Sequence, residues 1–166
     1  MSARYKVLLA DDSAEDRQIT EFALRDSRHF RITGYVANGD QLIAYFNGWH
    51  DFADRRKFPL PEVLLLDLAM PYRDGFEVLR WLKAHPQGGL CPIILTSSDH
   101  PEHEARAIAL GARGYLVKPI TARQLQGLEA RLFSVLAKAR GAEEKIHAAS
   151  WLSEMTPNTA RVGSFL

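Results

Sequence analysis

Five short apolar runs, each followed by a stretch whose apolar residues recur at helical spacing, leave this chain few folds to adopt. The runs are Tyr5 to Ala10, Phe30 to Ala37, Val63 to Leu66, Pro92 to Thr96 and Tyr115 to Val117. A short apolar run that ends in turn residues suits a strand buried on both faces. The stretches between and after them are Ala14 to Asp26, Asp40 to Trp49, Phe76 to Lys83, Pro101 to Leu110, and a last one carrying Leu125, Leu128, Leu132, Val135 or Leu136, and Ala139. Spacings of three and four give a helix one inward face. Strand and helix in alternation predict a parallel sheet covered by helices on both sides, with right-handed crossovers.

The periodicity leaves the strand order open, the flavodoxin-like order being one of two common solutions. Local detail is more specific. Ser13 reads as the N-cap of the first helix, with Asp16 completing a weaker relative of a capping box. Ile19, Phe22 and Ala23 read as that helix's inward face, and Leu42, Ile43 and Phe46 as that of the second. HDFADRRKFPLPE reads as a loop with a short helical turn, its Arg55, Arg56 and Lys57 solvated. Gly111 reads as a C-terminal cap.

The 166 residues suit one domain, and 46% hydrophobic with 25% charged residues excludes a disordered chain. A formal net charge of +1 gives no strongly basic face for nucleic acid. The single cysteine, Cys91, reads as a buried structural thiol. Lys6, Asp11 and Asp12 interrupt any leader-like segment, and no apolar stretch spans a bilayer, so the expected address is the cytoplasm, away from membrane.

The residues able to do chemistry fall just after strands: Asp11 and Asp12 after the first, Asp67 after the third, Thr96 and Ser97 at the fourth, Lys118 after the fifth. In a parallel sheet these ends share one edge, where such folds place ligands. Close carboxylates repel each other, and a hard divalent cation such as Mg2+ relieves the repulsion. Asp67 is then placed to attack a phosphorus centre, with Lys118 as positive donor and the Thr96 hydroxyl for a phosphoryl oxygen. A flavin or nucleotide site is the rival, but it needs a phosphate-cradling loop after the first strand, where this chain has two acids.

At these residues the sequence resembles the receiver domain family of two-component response regulators. VLLADD, LLLDLAMPYRDG, ILTSS and GARGYLVKP carry the resemblance, in order, from Tyr5 to about Ala139. It implies a flavodoxin-like (βα)5 receiver domain over residues 1–140, a signalling protein rather than a conventional enzyme. Asp67 would be the phosphoacceptor. Asp11, Asp12, Asp67 and the backbone carbonyl of Ala69 would hold Mg2+. Lys118 and Thr96 would assist, Thr96 and Tyr115 would form the switch, and Pro119 would follow a cis peptide bond. A histidine kinase would donate the phosphoryl group, and the fourth helix, fifth strand and fifth helix would form the output surface. Ala69 and Ser98, at positions that tune phosphoryl loss in relatives, offer no acid or amide to orient water, which implies a long-lived phosphoryl state. Gly75 is expected to supply a backbone conformation costly to other residues, while Tyr72 and Arg73 fill variable positions open to a partner.

The lengthened connection from Trp49 to Pro61 resembles the small regulators paired with bacterial phytochromes. Residues 141–166 are expected to be a C-terminal tail without an effector domain or DNA-binding helix, packing on its own domain or joining a homodimer. The expected output is protein contact.

Overall fold

The computed structural model describes residues 4–121, 123–132, 136–138 and 141. Strands β1 (Tyr5–Ala10), β2 (Phe30–Val36), β3 (Val63–Leu66), β4 (Cys91–Thr96) and β5 (Gly114–Val117) alternate with helices α1 (Ala14–Leu24), α2 (Gly39–Asn47), α3 (Gly75–Ala84) and α4 (Pro101–Ala109). Helix α5 follows, helical at residues 123–132 and 136–138. All neighbouring strands are parallel, in the order β2-β1-β3-β4-β5. That is the flavodoxin-like order, which the periodicity had left open. The tail reading for 141–166 falls, except for residue 141, outside the described residues. Among the described residues no helix is long and apolar enough to cross a membrane.

Alternation along the strands builds two cores. Leu8, Ala10, Leu64, Leu66 and Ile94 point to one face, packed with Leu42, Tyr45 and Phe46 of α2, Val78 and Leu79 of α3, and Ala107 of α4. Val7, Leu9, Val63, Leu65, Ile93 and Leu95 point to the other, under Leu24 of α1 and Leu125, Leu128, Leu132 and Leu136 of the last helix. Period-2 strands with both faces apolar therefore trap the sheet between helix layers.

Two local expectations are corrected. In α1 the buried residues are Thr20 and Leu24, while Ile19 and Phe22 are 46% and 68% exposed. Asp16, Thr20 and Leu24 recur every four residues on one helix face, and that face lies against the sheet. Arg55 is not a solvated loop residue. Its guanidinium donates to the carbonyls of Tyr45 and Phe46, both at 2.7 Å, so it satisfies backbone groups left open at the end of α2. The expected helical turn in that loop is present at His50–Phe52, and Phe52 and Phe58 pack on Tyr45 with ring centroids 5.1 and 6.0 Å away. The Tyr45 hydroxyl donates to Pro59 O at 2.9 Å.

Cys91 is buried in β4, as expected of a structural thiol. Burial pushes it up to about 11, the nearby Arg113 charge offsetting only part of that rise. The thiolate is the reactive form, so a raised pKa lowers reactivity below that value. Iodoacetamide near pH ~8 should therefore modify the folded chain far more slowly than the chain in concentrated urea. Equal rates would contradict this placement.

Candidate functional site

Parallel strands bring their carboxyl ends to one edge, and the backbone ladder carries slightly past them. Asp11 N–H donates to Val36 O (3.0 Å), Asp67 N–H to Ala10 O (2.9 Å) and Lys118 N–H to Thr96 O (2.8 Å). These bonds extend the pairing of β1 with β2, of β3 with β1 and of β5 with β4, so Asp11, Asp67 and Lys118 all leave the sheet at the same edge. Asp11, Asp67 and Thr96 are all buried, whereas Asp12 is exposed.

The Lys118 side chain runs between the acids. Its Nζ lies 2.6 Å from Asp11 Oδ2, 2.8 Å from Asp67 Oδ2 and 2.9 Å from Asp16 Oδ2. Burial alone would lower the lysine's pKa, but its close contacts with the carboxylates of Asp11, Asp67 and Asp16 outweigh it and raise the net value, so Lys118 stays charged. Asp11 is raised by its own burial, with the Asp67 charge adding to the rise and Lys118 and the Ser13 N–H opposing it.

Burial sets the rise of Asp11, and the surrounding carboxylates set that of Lys118. Asp11, Asp12 and Asp67 each offer an oxygen, and these atoms lie within 4.8 Å of one another. Asp11 Oδ1 accepts from Ser13 N–H at 2.9 Å. Asp11 Oδ2 is buried without a hydrogen-bond partner among the described residues; Lys118 is in ion-pair range of it but off the direction of a hydrogen bond. A buried carboxylate oxygen with no aligned donor, among three acids, is a donor set that fits a hard divalent cation.

Asp67 Oδ1 accepts from Ala69 N–H at 3.1 Å, and Ala69 itself is exposed. The turn beyond it is built by crowding. A Cβ on Gly75 would stand 2.5 Å from Asp67 O and 2.8 Å from Leu68 Cα. The glycine is needed for space, not for the unusual backbone conformation expected of it; the left-handed residue in this turn is Tyr72, at φ 64° and 86% exposed. Arg73, expected to be open to a partner, pairs with Asp40 at 3.0 Å. Asp74 and Glu77 form a reciprocal capping box that starts α3 immediately after.

Thr96 and Tyr115 are joined through Ser98. Ser98 N–H donates to Thr96 Oγ1 at 3.3 Å, and Tyr115 OH donates to Ser98 O at 2.8 Å. The Ser98 hydroxyl meets His103 Nδ1 of α4 at 2.8 Å. The Lys118–Pro119 peptide is cis, as expected.

Asp16 is the site residue that sequence reasoning missed. Its N–H does bond Ser13 Oγ, at 3.2 Å, but its carboxylate goes to Lys118 and completes no capping box. The usable clue was its place one turn into α1, on the face shared with Thr20 and Leu24. Beside it, a groove of about 220 Å3 lined by Asp16, Ile19, Thr20, Ser97, Lys118, Pro119 and Ile120 opens next to the lysine.

Residues 7–130 match the response regulator receiver domain family. A protein-glutamate methylesterase/protein-glutamine glutaminase of Halalkalibacterium halodurans is 30% identical over 72% of this chain and 32% of its own length. The chain spans about a third to a half of the length of this relative and of two ycf27 probable transcriptional regulators that it also matches. Among solved structures, a response regulator in red light signaling of R. palustris is 31% identical, with a TM-score of 0.65 over 77% of this chain and 91% of that one. The bacteriophytochrome response regulator RtBRR is 29% identical, with a TM-score of 0.68 over 89% of this chain and 95% of that one.

Proposed function

Because this chain belongs to the response regulator receiver domain family, signalling proteins whose common function is to accept a phosphoryl group, we propose that Asp67 is its acceptor and a histidine kinase its donor. The observation that carries this reading is the setting of Asp67: it ends the central strand, with Lys118 Nζ 2.8 Å from Oδ2 and oxygens of Asp11 and Asp12 within 4.8 Å. A carboxylate oxygen of Asp67 attacks the phosphorus of a phosphohistidine. The new O–P bond forms as the N–P bond breaks, and the electron pair stays on the imidazole nitrogen, which then takes up a proton.

Charge control falls to the surrounding residues. Lys118 turns a donor toward the transferred oxygens, and the Thr96 hydroxyl takes one of them. Asp11, Asp12, Asp67 and the Ala69 carbonyl would hold Mg2+, which would supply positive charge against those oxygens. The donor approaches along the groove beside Lys118, where the exposed Ile19 gives it an apolar contact. Once Thr96 is drawn to the phosphoryl group, its bond from Ser98 is lost, and Ser98 O is also the anchor of Tyr115. The message leaves through α4, β5 and α5, read by a docking protein or a second copy of this chain, with no DNA contact. The regulators of red light and bacteriophytochrome signalling among the similar structures support a phytochrome-linked kinase as donor. The cytoplasm is the compartment this chemistry suits.

The test is uptake from acetyl phosphate followed by intact mass. One phosphoryl group per chain is expected with Mg2+ present and none with excess EDTA. Uptake that ignores EDTA would overturn the metal assignment, and no uptake under either condition would overturn the reading itself.

A further inference from the structure

Asp16 has no part in the three-acid cluster and none in phosphoryl acceptance, yet it takes one of the contacts of Lys118. We propose that Asp16 is a positioning residue, the fixed post that keeps the Lys118 ammonium at the site while its other two partners are claimed during phosphoryl transfer. This inference rests on the proposed function of Asp67.

An ammonium has three donors, and here three carboxylates surround it: Asp11 at 2.6 Å, Asp67 at 2.8 Å and Asp16 at 2.9 Å. A divalent cation would take oxygens of Asp11 and Asp67, and the phosphoryl group would then occupy an oxygen of Asp67. Asp16 is the acceptor that neither event consumes. It is also the rigid member of its pair. Its backbone N–H is held by the Ser13 N-cap, and Thr20 and Leu24, one and two turns on, are buried and fix the rotation of α1. Lysine, in contrast, carries its charge on a flexible four-carbon stem. A rigid acid on a helix thus holds a flexible cation from a segment 102 residues away. With the Asp16 anchor kept, the donor released by Asp67 turns onto a phosphoryl oxygen without the whole side chain leaving. With Asp16 removed, cation binding leaves Lys118 no fixed partner.

Two measurements separate this inference from the function it rests on. In nitrogen-15 NMR of the lysine ammonium groups, without any phosphodonor, a Lys118 resonance assigned by its loss in Lys118→Ala should persist through Mg2+ titration in the native chain. In Asp16→Ala it should broaden away as Mg2+ is added. In acetyl phosphate uptake, Asp16→Ala should slow the reaction by about tenfold, the loss typical of removing an outer partner of a site residue. Asp16→Asn, which keeps an acceptor oxygen, should lose less. In a Lys118→Ala background, Asp16→Ala should add nothing further. A resonance in Asp16→Ala that survives Mg2+, or a tenfold loss that recurs without Lys118, would overturn the inference. If the native chain takes up no phosphoryl group, the proposed function fails, and the ammonium resonance still decides whether Asp16 holds Lys118.

Discussion

Asp67→Asn is expected to abolish phosphoryl uptake while leaving the chain at least as stable as before. The amide lacks the anionic oxygen that attacks phosphorus, so the chemical step has no nucleophile. The fold loses little. An asparagine Oδ1 still accepts from Ala69 N–H, now 3.1 Å from the aspartate oxygen; its NH2 then replaces Oδ2 opposite Lys118, whose ammonium keeps Asp11 and Asp16 as partners. One charge also leaves a cluster in which Asp11, Asp12 and Asp67 crowd within 4.8 Å. Relief of such repulsion typically adds up to about 1 kcal/mol, the usual direction when a functional site is neutralised. Thermal melting in EDTA near neutral pH checks this. A marked fall in melting temperature would mean that Asp67 serves the fold rather than burdening it.

Gly75→Ala has the second large effect, and it acts on the same residue through the backbone. The added Cβ meets Asp67 O at 2.5 Å and Leu68 Cα at 2.8 Å, and neither is the end of a flexible side chain. The turn that carries the acceptor must therefore move. Overpacking of this kind costs about 1 to 3 kcal/mol. Displacing reacting groups by about 1 Å can cost on the order of 100-fold in rate. Gly111→Ala is the control: its Cβ would meet nothing within 4 Å, so its φ of 104° is the whole cost. That strain is worth about 1 to 3 kcal/mol, and uptake should be unchanged. Equilibrium urea melts and uptake rates for both variants separate crowding at the site from backbone strain away from it. Equal loss of uptake in the two would remove the link between Gly75 and the acceptor.

The sheet was legible because its strands are apolar on both faces, and only a sheet covered twice buries them. The reactive residues were legible for a related reason: a parallel sheet forces Asp11, Asp67, Thr96 and Lys118 to one edge whatever the order of its strands. The order itself depends on which crossovers close, and that is a tertiary choice that periodicity does not record. Helix α1 misled because Ile19 and Phe22 are two of its three large apolar residues, while its inward stripe runs through Asp16, Thr20 and Leu24. A polar residue on a buried face looks like a surface residue until its partner is known, and Lys118, the partner of Asp16, lies 102 positions away. Arg55 was hidden in the same way, its role set by the carbonyls at the end of α2. Gly75 was singled out correctly for the wrong physical reason, since sequence shows that a glycine is present but not whether space or φ demands it.

The residue that carries the phosphoryl group can be identified directly. Borohydride reduces an acyl phosphate to an alcohol, so an aspartyl phosphate is converted to homoserine at its own position. After acetyl phosphate and Mg2+ treatment, reduction and peptide mapping, homoserine is expected at position 67 and at no other aspartate. Homoserine at Asp11, Asp12 or Asp16, or a phosphoryl mass that leaves no homoserine at all, would contradict it.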